Sequence, residues 1–344
     1  MSRVTQSVHI PAGQPIIEAN GLVKRYGTLA AVNGVDLTVL SGEIFGILGP
    51  NGAGKTTTLE MIEGLRQPDA GTIMVAGYDT RSQTEEVRRA IGVQLQTTAL
   101  FDYLTASELI KLFADLYSVD SSPARVEHLL GMVGLLDKRN AQANQLSGGQ
   151  QQRLSIALGL VNDPVVVFLD EPTTGLDPGA RRELWQTVRD VRDQGSTVVL
   201  TTHYMEEAEI LCDRIAVMDR GKIIALDTPV GLIEAIDVEA TISARMRDGA
   251  LDERQLREIP GSRDVSVNGD QLELRSDNPQ LTLIGLLEAA RANHVELTEL
   301  RSNQASLEDV FLTLTGRTFE PEAEQTDVDD TEPKRRFWQR RKAA

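Results

Sequence analysis

The segment from Gly49 to Thr56 (GPNGAGKT) carries the residue types best suited to chemistry on phosphate. It fits the phosphate-loop pattern G-x-x-x-x-G-K-[ST] at every fixed position. Its glycines let successive backbone N–H groups face an anion, and a following helix directs its positive dipole end toward that anion. We expect Lys55 to contact the β- and γ-phosphates of ATP and Thr56 to ligate Mg²⁺. The residues predicted to contact ATP here are Gly49, Pro50, Asn51, Gly52, Ala53, Gly54, Lys55, Thr56 and Thr57.

A second candidate lies where the apolar run Val165–Asp170 (VVVFLD) ends in a carboxylate. Such a run predicts a buried strand of a parallel sheet, and it places Asp170 at the carboxyl edge, where ligands bind in these folds. We expect Asp170 to bind Mg²⁺ through water. The next residue, Glu171, is the candidate general base, because it can polarise a water molecule in line with the leaving group.

The pentapeptide Leu146–Gln150 (LSGGQ) separates this chain from other phosphate-loop proteins such as GTPases, kinases and helicases. Its glycines allow close backbone approach, and Ser147 offers a hydroxyl at a predicted helix N-terminus, which favours anions. The pentapeptide resembles, letter for letter, the signature of ATP-binding-cassette (ABC) ATPases, and the resemblance covers roughly residues 16–236. The signature residues that it implies in ATP binding are Ser147, Gly148, Gly149 and Gln150.

The resemblance assigns roles to four further residues. Tyr26 in KRYG matches the aromatic residue that stacks on adenine, and Asp177 in TTGLDP matches the loop that crosses the dimer interface. His203, directly after STVVLTT, matches the switch histidine that hydrogen-bonds the γ-phosphate. Gln96 in IGVQLQ matches the glutamine that meets Mg²⁺, with Gln94 as the alternative. The catalytic set implied in this way is Lys55, Gln96, Glu171 and His203.

The resemblance also implies two partners. In the family, the signature of one chain completes the phosphate loop of another, so two copies should face each other head to tail. Each ATP would lie between Lys55 and Thr56 of one copy and Ser147–Gln150 of the other. The second partner is a separate integral-membrane subunit, because the sequence has no apolar run long enough to span a bilayer.

Two later segments of the sequence indicate a subfamily within the ABC ATPases. DEPTTGLDP and the closing SLEDVFLTLTG resemble ATP-binding subunits of daunorubicin-resistance-type exporters, which implies an ABC-2 type membrane subunit docking near Gln96–Ser107. The expected location is the cytoplasmic face of the membrane, and the expected function is ATP-driven efflux of a drug, lipid or other hydrophobic compound. Two alternatives stay open: an importer ATPase, and a cassette ATPase that is not coupled to transport.

Short apolar runs alternate with helical patterns from Ile16 onward, which is typical of an α/β fold. IIEANGLVKRY and AAVNGVDLTVL predict antiparallel strands, and EEAEILCDRIAVM has helical spacing. Together with the resemblance, these patterns predict a phosphate-loop ABC core with a mixed sheet, an antiparallel β subdomain and a helical subdomain at about 97–160.

Composition shifts near Asp237, and the order strand, helix, strand, strand, helix, strand then predicts a smaller ferredoxin-like domain with Asn268-Gly269 as its hairpin turn. Such a domain is compatible with regulation of the ATPase or with dimer stabilisation. The predicted boundaries are a flexible leader at 1–15, the nucleotide-binding domain at 16–237, the accessory domain at 238–317 and a disordered tail at 318–344.

The net charge of −16 argues against a nucleic-acid-binding surface over the whole protein, since phosphate backbones require clustered Lys and Arg. The tail is the local exception, because its acidic part is followed by the basic segment 334–342 (KRRFWQRRK). One interpretation of this segment is a solvated tail. The other is contact with anionic lipid, with Phe337 and Trp338 at headgroup depth.

Overall fold

Strands and helices alternate along most of the chain. The computed structural model describes residues 10–94, 100–236, 239–303 and 305–317. Its strands are β1 (Pro15–Tyr26), β2 (Leu29–Leu40), β3 (Ile44–Leu48), β4 (Ala70–Val75), β5 (Tyr78–Asp79), β6 (Ile91–Gln94), β7 (Val166–Asp170), β8 (Thr197–Thr202), β9 (Arg214–Asp219), β10 (Lys222–Asp227), β11 (Ala240–Arg247), β12 (Ser262–Asn268), β13 (Gln271–Ser276) and β14 (Glu296–Asn303). Its α-helices are α1 (Lys55–Ile62), α2 (Thr84–Ala90), α3 (Ala106–Tyr117), α4 (Pro123–Met132), α5 (Gly148–Gly159), α6 (Pro178–Asp193), α7 (Met205–Leu211), α8 (Pro229–Glu234), α9 (Glu253–Arg257), α10 (Pro279–Ala292) and α11 (Leu307–Thr315).

A six-stranded mixed sheet with the order β10-β9-β3-β8-β7-β6 positions the predicted site. Its strands are parallel except for the edge strand β10, which pairs antiparallel with β9. β3, β7 and β8 are buried along their whole length, which explains why their sequences are continuous apolar runs. Because these three strands are neighbours, the phosphate loop after β3, Asp170 at the end of β7 and His203 after β8 meet at one edge.

Two layers cover this sheet, and side chains alternate between them along each strand. Phe45 and Ile47 of β3 pack into the core shared with the antiparallel sheet β2-β1-β4-β5. Ile44 and Leu48 pack into the core shared with the helices on the opposite face, which include α3, α4, α5 and α6. The predicted α/β core with a mixed sheet, an antiparallel layer and a helical region is therefore confirmed.

One helix prediction is wrong in its second half. The helical spacing of EEAEILCDRIAVM continues past Cys212, but α7 ends at Leu211 and β9 runs over Arg214–Asp219. Ile215 and Val217 are buried in a parallel strand beside β3, and this tertiary pairing overrides the local periodicity. Among the described residues, no helix is both long and apolar enough to cross a membrane.

The third sheet has the order β12-β13-β11-β14 with antiparallel pairing throughout. With α9 and α10 it forms the ferredoxin-like arrangement expected from the sequence. The hairpin turn lies one residue later than predicted, because Asn268 still pairs with Gln271 at the end of β12 and the two-residue loop is Gly269-Asp270. Gly269 has a φ of 64° at the first loop position, where glycine is favoured. This sheet has its own hydrophobic core, which includes Ile242, Leu274 and Leu286.

The last helix, α11, does not join the core of the third sheet. Its Leu307, Val310 and Phe311 belong to the core of the six-stranded sheet, together with Leu211 of α7 and Leu232 of α8. The Leu307 N–H donates to Glu209 Oε1 at 3.0 Å. An ion pair of 2.6 Å between Arg317 and Asp219 follows the helix. Along the chain, the third sheet thus lies between two helices, α8 and α11, that both pack on the cassette.

We expect Phe311→Ala to lower the free energy of unfolding of the cassette by about 3–5 kcal/mol, because its ring is 2% exposed and truncation leaves a cavity. Urea unfolding followed by Trp185 fluorescence measures this, in a Trp338→Phe background that leaves one tryptophan. Leu312→Ala is the matched control, since its neighbour on α11 is 41% exposed and should change stability little. Equal losses in both variants would contradict the docking of α11.

Candidate functional site

The phosphate loop joins β3 to α1 in a backbone shape that only glycine accommodates. Gly52 and Gly54 have φ values of 77° and 105°, in the left-handed region. A Cβ at Gly49 would lie 2.2 Å from the Met218 carbonyl oxygen, and one at Gly54 would lie 2.4 Å from that of Ala31. The loop is therefore pressed against β9 and β2, with the first turn of α1 directed into it. This is the cradle that a polyphosphate requires.

Lys55 places a buried positive charge inside this loop. Its side chain is 4% exposed, and Nζ lies 3.1 Å from Glu171 Oε1. The same ammonium group donates to the Pro50 carbonyl oxygen at 3.3 Å. A lysine held in this position supplies a point charge for phosphate oxygens, so the residues fit the predicted ligand.

Thr56 and Asp170 bring a hydroxyl and a carboxylate together at the entrance of the loop. Thr56 Oγ1 donates to Asp170 Oδ1 at 3.3 Å, and Thr201 Oγ1 donates to the same oxygen at 2.5 Å. Burial raises the pKa of Asp170, whereas the hydrogen bond from Thr201 opposes that rise. Oxygen ligands of this kind fit a magnesium ion.

Glu171 leaves the end of β7 in a left-handed conformation with a φ of 46°. Its N–H donates to both the carbonyl oxygen and Oγ1 of Thr201, at 3.2 and 3.0 Å, which fixes this turn. Its Oε2 lies 3.2 Å from His203 Nδ1 and accepts from Thr174 Oγ1 at 3.4 Å. Lys55, Glu171 and His203, predicted separately from the sequence, therefore form one cluster.

The electrostatics of this cluster keep Glu171 ionised. Burial by itself raises the pKa of its carboxyl, but the adjacent His203 ring and the Lys55 ammonium outweigh burial and lower the pKa to about 2. The carboxylate is therefore deprotonated at neutral pH, and loss of the Lys55 contact would raise its pKa and with it its affinity for a proton from water.

The signature segment forms the N-terminus of α5. Ser147 Oγ accepts from Gln150 N–H at 3.4 Å and Gln150 Oε1 accepts from Ser147 N–H at 3.0 Å, which makes a capping box. Gly149 is buried, and a Cβ there would lie 2.8 Å from Ala180 Cβ of α6. Ser147 and Gly148 are exposed, so they are accessible to a second molecule.

The remaining predicted residues are placed as follows. Asp177 caps α6, where its Oδ1 accepts from the N–H groups of Gly179 and Ala180 at 2.8 and 3.0 Å, and these bonds lower its pKa. Tyr26 ends β1 with its ring partly exposed. Gln96 lies outside the described residues, as do residues 1–9 of the leader and the tail from 318 onward.

Several residues of the site were missed by sequence reasoning. The Arg66 guanidinium lies 5.5 Å from the Tyr26 ring centroid and is held by Glu60 Oε2 at 2.6 Å. Gln94, considered above only as an alternative to Gln96, is buried and donates from Nε2 to Gln152 Oε1 of α5 at 2.5 Å. No motif signals these contacts, because each joins residues that lie far apart in the sequence or have no fixed spacing.

Glu63, at the end of α1, is a further buried carboxyl near the site. Burial, reinforced by the charges of Asp170 and Glu60, raises its pKa to about 8. The side chain is therefore largely protonated at neutral pH, and it adds no full negative charge beside Asp170.

Comparison with known proteins shows relatives that match over most of this chain and nearly all of their own length. A family model described as ABC transporter matches residues 32–174. The daunorubicin/doxorubicin resistance ATP-binding protein DrrA of Streptomyces peucetius is 40% identical and covers 91% of this chain and 97% of its own length. The linearmycin resistance ATP-binding protein LnrL of Bacillus subtilis (strain 168) is 36% identical, over 88% and 99%. The Nod factor export ATP-binding protein I of Burkholderia lata is 40% identical, over 88% and 97%.

Solved structures of similar fold are ATP-binding cassettes. A dimeric cassette in a post-hydrolysis state, bound to ADP and Pi, is 30% identical with a TM-score of 0.56 over 62% of this chain and 98% of its own. A nucleotide-free cassette is 25% identical with a TM-score of 0.57 over 62% and 92%.

The lowered pKa of Glu171 makes a prediction about acid stability. A carboxyl whose pKa falls from its ordinary 4.5 to about 2 on folding stabilises the fold above pH 4.5, and this contribution is lost as the pH falls toward 2. We expect the pH-dependent part of the difference in unfolding free energy between the native chain and Glu171→Gln to be about 3 kcal/mol near neutral pH and to shrink below pH 4.5. Urea unfolding from pH 7 to pH 3 measures it, and a constant difference over that range would contradict the ion-pair cluster.

Proposed function

Because the chain belongs to the ATP-binding subunits of ABC transporters, we propose that its ATPase powers export of a drug, lipid or other hydrophobic compound through a separate membrane subunit. The activity itself, ATP hydrolysis with Mg²⁺, is that of the family. The export direction is supported by the relatives, whose names describe resistance to daunorubicin, doxorubicin and linearmycin, and export of Nod factor.

The observation that carries the hydrolytic role is the cluster of Lys55, Glu171 and His203. Lys55 Nζ is shared between Pro50 and Glu171 Oε1, so phosphate oxygens of ATP would compete with Glu171 for the same ammonium. Once Lys55 turns to phosphate, Glu171 stays held through Oε2 by Thr174 and His203, with Oε1 free to take a proton from water. Thr56 and Asp170 would hold the magnesium ion, and Gln96 would be a further ligand.

The catalytic unit in this proposal is a head-to-tail pair of copies. ABC cassettes form dimers, as the dimeric structure similar to this chain illustrates. The accessible Ser147 and Gly148 of one copy would cover the phosphate loop of the other, and Asp177 would lie at the boundary between them. Tyr26 would receive adenine on the face of its ring that Arg66 leaves open.

The membrane subunit is proposed to be of the ABC-2 type and to dock beside the segment from Gln96 to Ser107. The described part of this segment exposes Phe101 and Tyr103, whose side chains are 59% and 78% exposed. Aromatic side chains left in solvent together favour a protein contact. Docking there would hold the chain at the cytoplasmic face of the membrane, and the basic segment 334–342 would add contact with anionic lipid.

The domain division stays part of the proposal. Residues 16–237 form the nucleotide-binding domain and 238–317 the accessory domain, with α11 as the element that anchors the latter on the cassette. The separate core of the third sheet supports this division.

We expect Glu171→Gln to bind ATP and accumulate a dimer while turnover falls by about 10²–10⁴-fold, because the variant keeps the shape of the base but cannot accept a proton. Phosphate release and size-exclusion chromatography with ATP and Mg²⁺ measure the two effects. Glu43→Gln is the control, since it changes another buried carboxyl on the far side of β3. Normal hydrolysis by Glu171→Gln would show that another group is the base.

An export role predicts lower accumulation of an amphipathic drug in cells that produce the chain with its membrane subunit. We expect doxorubicin fluorescence in such cells to rise when Glu171→Gln replaces the native chain, because the dimer no longer turns over. Equal accumulation with both chains, at matched expression, would count against export of this class of compound and leave the ATPase assignment intact.

A further inference from the structure

A fully buried carboxyl, Glu207, lies close to the site but has no role in the chemistry described above. It occupies the first turn of α7, four residues after His203, and is 0% exposed. Trp185 Nε1 of α6 donates to Glu207 Oε1 at 3.1 Å, and this indole is buried as well. Burial raises the pKa of Glu207, while the hydrogen bond from Trp185 opposes the rise. Burying such a group is costly unless it is hydrogen-bonded or paired, and Trp185 supplies one such bond.

A second contact joins the same two segments. The Arg181 guanidinium of α6 lies 4.4 Å from the ring centroid of Tyr204. The Tyr204 ring in turn lies 4.2 Å from the ring of His203. Arg181 and Trp185 are one turn apart on α6, so they lie on one face of that helix. This face therefore contacts the segment that follows His203 at two points, Tyr204 and Glu207.

The two ends of this linkage are functional elements. At one end, Asp177 caps α6, and its side chain accepts hydrogen bonds from the first turn of the helix at 2.8 and 3.0 Å. At the other end, His203 Nδ1 lies 3.2 Å from Glu171 Oε2. Displacement of α6 would accordingly be transmitted to the histidine that faces the base.

We propose that Glu207 is a positioning residue which, through Trp185, locks α6 to the His203 segment, so that the Asp177 loop and His203 move as one unit. This inference rests on the proposed function, since it takes the Asp177 loop to lie at the dimer boundary. When two copies close, contact on that loop is passed by α6 to His203 and sets the geometry around Glu171. Glu207 itself touches no reacting atom.

Three variants test the bond between Glu207 and Trp185. Glu207→Met removes the acceptor at similar volume, and Trp185→Phe removes the N–H donor but keeps a ring. We expect each to lower kcat by about 10–100-fold with the KM for ATP changed less than about twofold, because misplacement of catalytic groups affects turnover rather than ground-state binding. Glu207→Gln keeps a carbonyl acceptor for the indole and should stay within about threefold of the native kcat.

The double variant Glu207→Met with Trp185→Phe should lose no more kcat than either single variant, since both break the same hydrogen bond. Glu43→Met is the matched structural control. Glu43 is also buried, but it precedes β3 at the far edge of the sheet, where Oε1 accepts from Leu40 N–H at 2.7 Å. The Glu43→Met variant should have a lower free energy of unfolding and an unchanged kcat.

The inference would be overturned if Trp185→Phe kept the native kcat. It would also be overturned if every variant lost stability but kept the native kcat, as expected for Glu43→Met. Trp185→Phe is the milder change and keeps the test valid if Glu207→Met fails to fold. Trapping of an ATP-dependent dimer by Glu171→Gln tests the proposed function separately. If Glu171→Gln traps the dimer while Trp185→Phe has normal turnover, the positioning role fails and the proposed function stands.

Discussion

The buried ion pair between Lys55 and Glu171 is the interaction on which the rest of the site depends. Its partners follow β3 and β7, two strands separated only by β8, and this strand order brings them together. The burial of both groups strengthens their attraction. Burial alone would raise the pKa of Glu171, but the nearby His203 ring and the Lys55 ammonium lower it and keep the carboxylate charged. The sheet thus holds two opposite charges at a fixed distance in a buried, low-dielectric environment.

Local chemistry made the main motifs predictable from the sequence. Gly52 and Gly54 are required by their backbone angles, and Gly49 and Gly54 by the close approach of β9 and β2. Other residue types are excluded at these positions, so the spacing of the glycines is a reliable signal. Asp170 ends and Glu171 follows a strand whose apolar sequence is unambiguous, and the glycine predicted for the hairpin of the third sheet lies in its loop, Gly269-Asp270. The roles of Thr201, Arg66 and Glu207 could not be predicted, since each depends on which strands and helices become neighbours.

Helix α6 connects more of the molecule than its ordinary amphipathic sequence suggests. Ala180 packs against Gly149 of the signature helix, Asp177 caps the first turn, and Trp185 bonds to Glu207 beside the histidine segment. One rigid element therefore touches both the surface offered to a second copy and the turn that carries His203. Under the proposed positioning role, a contact at the first residues of this helix would shift the side chains packed on its face, because cores resist continuous deformation.

The packing of α11 determines how the accessory domain can move. A domain attached through a single connection can rotate in any direction, whereas the third sheet is held between α8 and α11, which are both fixed to the cassette core. Two attachments restrict rigid-body motion of the sheet more than one attachment would. Cutting the chain at either connection would restore the greater freedom of a singly attached domain.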